Sequence, residues 1–317
     1  MFIAPTEVLI DGLDLVGVRY RRWSAKTRAL EFHRHYGSSP LDIADIWYDL
    51  VQGDYLPDEL KLASNEKNKR GFKKYMMCQF WLWIYPKNSS LLATSYKTCE
   101  RYCRGEHIWK WVKRIASLKA KKIKWENAQD PERLEIIGVS VDGVDFHLRE
   151  EKHPTLPRDN KACSHKFKKA AAKYEIVLSV HRAKVVHIAG PFKGGKHDTE
   201  MFRTGGLRDK LRAMNQVVHG TKKVFLCLAD RGYHSDERKF PGDNDLFALP
   251  NSYDLPDLNN YKSRGRLRQE TFNSRIKCFN SLSLPFRHGF KKHKFVFEAV
   301  VVIVQYQMDN GSPIYAI

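Results

Sequence analysis

Two apolar runs, about 90 residues apart, each end in an aspartate. The first, EIIGVSVD, occupies residues 135–142, and the second, KVFLCLAD, occupies residues 223–230. Short apolar runs that end at polar or turn-forming residues predict buried strands. Asp142 and Asp230 are therefore predicted to lie at the ends of two core strands. An ionised carboxylate is costly near a core unless it is paired or bound to a cation.

A third acid lies in a strongly basic segment that is predicted to form a helix. Glu270 is the only acid between residues 262 and 280. On a helix, Glu270, Asn273, Ser274 and Lys277 share one face, so a metal ligand would lie beside groups that bind phosphate. A structural alternative is an intrahelical pair with Arg266 or Ser274, worth a few tenths of a kcal/mol. The bases predicted to contact DNA here are Arg266, Arg268, Arg275 and Lys277.

Three acids of this kind indicate a particular chemistry. Like charges at adjacent strand ends are best stabilised by a divalent cation. Carboxylate oxygens suit Mg²⁺ or Mn²⁺ and do not suit zinc. Two such ions about 4 Å apart can activate the attacking oxygen and stabilise the leaving oxygen of a phosphoryl displacement. The acids Asp142, Asp230 and Glu270 are therefore predicted to form a two-metal site.

The periodicity of apolar residues changes near residue 130. Residues 1–130 have apolar positions three and four apart, which predicts helices, and residues 131–317 alternate strands with helices, which predicts an α/β domain with a mixed sheet. The predicted strands are 135–142, 143–149, 173–182, 184–190, 223–230 and 244–250, and the predicted helices of the second region are 197–214, 262–280 and 292–307.

The charge balance indicates a polyanionic partner. The chain has 55 Lys and Arg against 36 Asp and Glu, a net charge of +19, and such a surface suits nucleic acid. Residues 72–115 are compatible with a helix-turn-helix DNA-binding module, and equally with a helical subdomain that braces the rest. The longest apolar stretch, residues 295–306, falls short of the roughly 20 residues that span a bilayer, so no membrane association is expected.

Six segments together resemble eukaryotic Asp-Asp-Glu transposases of the Harbinger-like and insertion-sequence-like group. They occur in the same order and with similar spacing, between about residues 135 and 315. The segments are VSVDGVDFHLRE (139–150), CSHKFKKAAAKYEIVLSV (163–180), IAGPFKGGKHDTEMFR (188–203), LADRGY (228–233), RLRQETFNSRIKCF (266–279) and FRHGFKKHKFVFEAVVVIVQYQMDNGSPIY (286–315).

The resemblance implies an RNase H-like catalytic fold. Asp142 matches the family's first acid on the first strand, Asp230 the second acid on the fourth strand, and Glu270 the third acid on a following helix. Asp198 matches a further acidic position, for which we expect a helix N-cap. The resemblance also implies DNA contacts from a basic loop with Lys166 and Lys168, and from Arg231.

The function implied is a DNA transposase that cuts and joins strands with Mg²⁺ or Mn²⁺. Two alternatives are a domesticated transposase that binds DNA without cutting it, and a metal-dependent nuclease without strand transfer. The expected partners are transposon terminal repeats and target DNA. The sequence is also compatible with a homo-oligomer that forms on DNA and with a separate DNA-binding partner protein. Residence in the nucleus is expected, with KAKKIK (119–124) as a weak import signal.

Overall fold

The structure is a computed structural model in which ten stretches of the chain are described. These are residues 3–53, 55, 65–85, 106–128, 136–149, 160–215, 217–218, 221–222, 224–251 and 253–315. Residues 86–105, which belong to the predicted helix-turn-helix, lie outside the described stretches.

Helices make up most of the described N-terminal region, as predicted. Two of them begin at serines whose hydroxyls accept a backbone N–H: Ser24 from Thr27, and Ser39 from Asp42. Such N-caps satisfy amide groups that lack a partner within the helix. The helices are α1 (Pro5–Leu15), α2 (Ala25–Tyr36), α3 (Pro40–Gln52), α4 (Asn65–Ile84), α5 (Glu106–Ser117) and α6 (Lys119–Lys122).

Aromatic side chains pack these helices together. Trp47 of α3 contacts Phe72 and Tyr75 of α4 and Trp111 of α5, with ring centroids 5.2 to 5.8 Å apart. All four rings are buried. Trp81 and Tyr85 are also buried, so core packing accounts for these aromatics.

The second region contains strands and helices in alternation. The strands are β1 (Ile137–His147), β2 (Ala171–Ser179), β3 (Val185–Lys193), β4 (Val217–Val218), β5 (Thr221–Lys222), β6 (Leu226–Leu228) and β7 (Phe247–Ala248). The helices are α7 (Asp198–Thr204), α8 (Leu207–Met214), α9 (Pro256–Lys277), α10 (Asn280–Ser283) and α11 (Phe290–Asp309).

Five of these strands form one mixed sheet in the order β3-β2-β1-β6-β7. β1, β2 and β3 are antiparallel neighbours, and β6 and β7 add in parallel beyond β1. Apolar side chains of α7 and α8, among them Phe202 and Leu211, pack against Val139, Val141 and Val177 of the sheet. A mixed sheet flanked by helices confirms the predicted α/β, RNase H-like fold class.

Two details differ from the sequence predictions. Residues 135–149 were expected to form two strands, but β1 continues through Gly143 because its backbone stays paired with β2 from Val139 to His147. The helix expected over 197–214 is interrupted at Gly205 and Gly206, where Gly206 has φ 88°, a conformation that glycine adopts without a steric penalty.

Contacts divide the chain into two compact units. The helical unit comprises residues 1–122, 275–284 and 295–312, and the α/β unit comprises residues 123–274, 285–294 and 313–317. The units are therefore not two consecutive blocks of chain. A domain boundary near residue 130 stays a prediction.

Among the described residues, no helix is long and apolar enough to cross a membrane.

Candidate active site at the ends of two parallel strands

Asp142 and Asp230 are brought together by the parallel pairing of β1 with β6. Ser140 pairs with Leu228, an offset of 88 residues, and Asp142 and Asp230 are separated by the same offset (230 − 142 = 88). Asp230 follows the last residue of β6 by two positions, and its charge is close enough to raise the pKa of Asp142. β6 ends at Leu228 while β1 continues, so Asp142 lies beside an open strand end.

Asp142 is held by a long helix on one face of the sheet. The side-chain amide of Asn273 on α9 donates to Oδ2 of Asp142 over 2.6 Å. One turn earlier, Gln269 accepts a hydrogen bond from Ser140 of β1 over 3.0 Å and donates to the Ile176 carbonyl of β2. These contacts fix the register between α9 and the sheet.

The electrostatic environment of Asp142 is strongly negative. Burial raises the pKa of Asp142 to about 6, with further contributions from the charges of Asp230 and Asp198, while its hydrogen bonds oppose the shift. Because burial and the neighbouring carboxylates disfavour the ionised form, a nearby cation would stabilise it.

Asp198 is a third carboxylate of this cluster. Its Oδ1 forms an ion pair with Nζ of Lys173 at 2.8 Å, and Lys173 also donates to the Lys196 carbonyl. We expected Asp198 to cap a helix, but the N-cap of α7 is His197 and Asp198 is the first helical residue. The expectation was wrong because the side chain turns toward Lys173 and forms no capping bond.

Two glycines make room for the Asp198 carboxylate. A Cβ on Gly143 would lie 2.5 Å from Asp198 Oδ1, and a Cβ on Gly232 would lie 2.9 Å from both Asp198 Oδ2 and Asp230 Oδ1. Distances this short exclude any larger residue unless the carboxylates move. Gly232 also donates its N–H to Asp230 Oδ1 over 2.8 Å. The backbone beside the two strand ends is thus shaped around carboxylates.

A buried acid lies beneath the cluster. Glu175 of β2 is fully buried, and its pKa is raised to about 8 by burial and by the charge of Asp198. The buried Tyr233 phenol lies close by, and its pKa is raised well above its ordinary value by burial and by Glu175.

Glu270 lies on the exposed side of α9. It lines an open depression with Arg264, Leu267, Thr271, Ser274 and Tyr315. In the described part of the chain, no hydrogen bond links Glu270 to Asp142 or Asp230. Its charge acts on Tyr315, whereas Asn273, three residues later, bonds Asp142. The place of Glu270 in the predicted triad therefore stays a prediction.

The predicted DNA-binding residues differ in exposure. Lys166, Lys168, Arg231 and Arg266 are exposed. The loop that carries Lys166 and Lys168 packs near the acids, because His165 stacks on His197 with ring centroids 5.6 Å apart. Arg275 and Lys277 belong to the helical unit, and their assignment stays a prediction.

Arg268 requires a correction. We expected it to contact DNA, but its side chain is fully buried and its guanidinium donates to the carbonyl oxygens of Val180 and Arg182. Burial lowers the pKa of Arg268 to about 10. Arg268 therefore holds α9 to the backbone that follows β2.

Several residues of this site carry no distinctive sequence signal. Lys173 lies in a strand of alternating residue types, and Gln269 and Glu175 resemble ordinary polar residues of a helix and a strand. Asn273 was noted only as a neighbour of Glu270 on the helix surface. The DRGY segment does point to Gly232, since a glycine two residues after an acid often accompanies a tight turn.

Comparison with known protein families identifies the family of this chain. A family model described as DDE superfamily endonuclease matches residues 141–305, more than half of the 317-residue chain. The matched range includes Asp142, Asp230 and Glu270. Neither curated proteins nor solved structures give a significant match.

Proposed function

Because this chain belongs to the DDE superfamily endonucleases, we propose that it is a DNA transposase that cuts and joins DNA strands at Asp142 and Asp230. The observation that carries the proposal is the shared offset of 88 residues between the β1–β6 pairing and the two acids. Burial and the charge of Asp230 both raise the pKa of Asp142, which supports a site in which the two carboxylates share a cation.

The donor set fits a hard divalent cation. Asp142 and Asp230 offer carboxylate oxygens, and the Asn273 side-chain oxygen is buried without a hydrogen-bond partner among the described residues. Oxygen ligands of this kind suit Mg²⁺ or Mn²⁺. Among the described residues, no three His, Cys, Asp or Glu side chains are arranged to hold a metal ion.

We assign the third ligand to Glu270, which a change of rotamer would bring toward Asn273 and Asp142. When bound, the ions activate the attacking oxygen and stabilise the leaving oxygen. Asn273 orients Asp142, and the Lys173 ammonium balances part of the negative charge through Asp198. The exposed bases Lys166, Lys168, Arg231 and Arg266 hold the DNA backbone.

The remaining parts of the proposal concern partners and location. We propose that terminal repeats and target DNA are the substrates, that the chain belongs to the Harbinger-like group, and that it resides in the nucleus. A fluorescent fusion that stayed outside the nucleus would contradict the last point.

The proposal is tested by a cleavage and strand-transfer assay. The probe is a labelled duplex carrying the inverted repeats that flank the coding sequence, with a plasmid as target. We expect cleavage with Mg²⁺ or Mn²⁺ and none in EDTA, and a loss of about 100-fold or more in Asp142→Asn, Asp230→Asn and Glu270→Gln. Asp257→Asn, which removes an exposed acid of α9, should retain activity.

The products distinguish the alternatives. Joined products support a transposase, cleavage without joining supports a nuclease, and DNA binding without cleavage supports a domesticated protein. Undiminished cleavage by Asp142→Asn would overturn the assignment of the site.

A further inference from the structure

A cavity at the end of the edge strand β3 combines lysines with aromatic rings. Its volume is about 560 Å³, within the range of about 300–1,000 Å³ that is typical of small-molecule sites. It is lined by Lys161, Pro191, Phe192, Lys193, Gly195, Lys196, Glu200 and Phe290. We call it the lysine–phenylalanine cavity.

The cavity adjoins the acid cluster through a single lysine. Lys173 donates to the Lys196 carbonyl over 3.2 Å and forms its ion pair with Asp198 at 2.8 Å. Lys196 therefore lines the cavity with its side chain while its backbone holds the lysine that neutralises the site. The cavity is therefore connected through Lys173 to the carboxylate of Asp198, whose charge also acts on Asp142.

The cavity wall is built for a charged, flat ligand. The Lys196 ammonium lies 4.6 Å from the centroid of the Phe192 ring and donates to Thr204 over 2.8 Å. Glu200 lies 3.6 Å from the same ammonium. Phe290, at the start of α11, is 36% exposed. Three lysines against one glutamate leave the wall positive, and aromatic rings offer stacking surfaces.

These features select an unpaired nucleotide over a duplex. Lysines alone would bind the backbone of any DNA, paired or not. Aromatic faces add binding only when a base is unstacked, because the faces of a paired base are covered by its neighbours in the helix. We propose that the lysine–phenylalanine cavity binds one unpaired DNA nucleotide next to the phosphodiester that is cut, with its base on Phe192 or Phe290 and its phosphate near Lys193 and Lys196.

This inference rests on the proposed DNA substrate, and a binding experiment without metal tests it separately. In EDTA, fluorescence anisotropy compares a fork with a short unpaired arm and a fully paired duplex of the same repeat sequence. We expect the wild type to prefer the fork by about tenfold, and Phe192→Leu or Phe290→Leu to lose that preference while binding the duplex normally. Lys196→Gln should weaken both.

The control is Tyr253→Leu, which removes an aromatic ring that is 92% exposed and lies outside the cavity lining. Melting temperatures verify that each variant folds. If Phe192→Leu does not fold, Phe290→Leu alone serves as the test. A 5-iodouracil in the unpaired arm should crosslink to the peptide containing Phe192 or Phe290.

Three outcomes would overturn the inference: equal affinity for fork and duplex, an unchanged preference in both phenylalanine variants, or a crosslink elsewhere. If the wild type and Asp142→Asn both prefer the fork but the wild type cleaves nothing, the proposed function is refuted. The binding of an unpaired nucleotide in the cavity would still stand.

Discussion

Asn273 donates its side-chain amide to Asp142 over 2.6 Å, and this bond connects α9 to the middle of β1, where the first acid lies. The carboxylate is thereby oriented by a residue three positions after Glu270. The function of Asn273 is positioning, which is separable from DNA binding.

We predict that Asn273→Ala lowers the cleavage rate by about 10- to 100-fold, the usual cost of losing a group that orients a metal ligand. The affinity for DNA should stay unchanged, while the Mn²⁺ concentration for half-maximal rate should rise. Cleavage assays over a Mn²⁺ series measure both. Ser263→Ala, at an exposed position of the same helix, is the matched control, and wild-type kinetics in Asn273→Ala would exclude the role.

Two glycines of β1 should respond differently to alanine. At Gly143 the obstructing atoms are Asp198 Oδ1 at 2.5 Å and the Met201 Cε at 3.0 Å, both at the ends of side chains. We predict that Gly143→Ala keeps the melting temperature within a few degrees but lowers cleavage by about 100-fold, because a displacement of about 1 Å can have that effect.

Gly138→Ala is the comparison variant on the same strand. Its Cβ would lie 2.0 Å from the ring of Phe225, which is buried in the core of the sheet. This variant should lose stability in thermal melts before any specific effect on cleavage can be seen. The interpretation of Gly143 would be wrong if both variants lost stability equally.

The proximity of Asp142 and Asp230 could be predicted because each acid follows a run of apolar residues, a pattern typical of a buried strand. The expectation that Asp142 ends its strand was wrong, since β1 continues to His147. The parallel pairing that joins the two strands follows from the order of strands and helices. The role of Gly143 could not be predicted, since a glycine after an acid is equally typical of a turn. Only the continuous pairing of β1 with β2 shows that the chain stays extended there.

The basic helix illustrates a second limit. Arg266 and Arg268 are two residues apart, and α9 carries bases on several sides, so spacing alone does not identify the buried face. The buried positions follow from contacts with strands that are about 90 to 130 residues away in sequence, such as Val180 and Ser140. Long-range contacts of this kind have no local signal.

We predict opposite behaviour for the two arginines. Arg268→Gln should lower the free energy of unfolding by on the order of 3 kcal/mol, because buried carbonyls lose charged donors, and should change DNA binding only through stability. Arg266→Gln should leave the free energy of unfolding unchanged. It should reduce the slope of the logarithm of the DNA-binding constant against the logarithm of the salt concentration by about 1. Urea unfolding and salt-dependent DNA binding distinguish them, and a stable Arg268→Gln with weakened DNA binding would restore the original assignment.

The buried imidazole of His293 predicts a loss of stability in acid. His293 is fully buried, its Nδ1 shares a hydrogen bond of 2.8 Å with the Tyr174 hydroxyl, and burial lowers its pKa from 6.5 to about 3. Between pH 6.5 and pH 3 the unfolded chain therefore binds a proton that the folded chain does not. The stability that neutral His293 contributes is present above pH 6.5 and is lost as the pH falls, by at most about 1.4 kcal/mol per pH unit.

Replacing this group removes its share of the acid sensitivity. We predict that His293→Gln is less stable than the wild type at pH 7.5, and that the difference narrows by up to about 2 kcal/mol between pH 6.5 and pH 5. His288, whose pKa is also lowered by burial, to about 4, is present in both proteins and cancels in the comparison. Urea unfolding at several pH values measures the effect, with His234→Gln at an exposed position as control. Parallel stability curves for the wild type and His293→Gln would mean that this imidazole becomes protonated without unfolding.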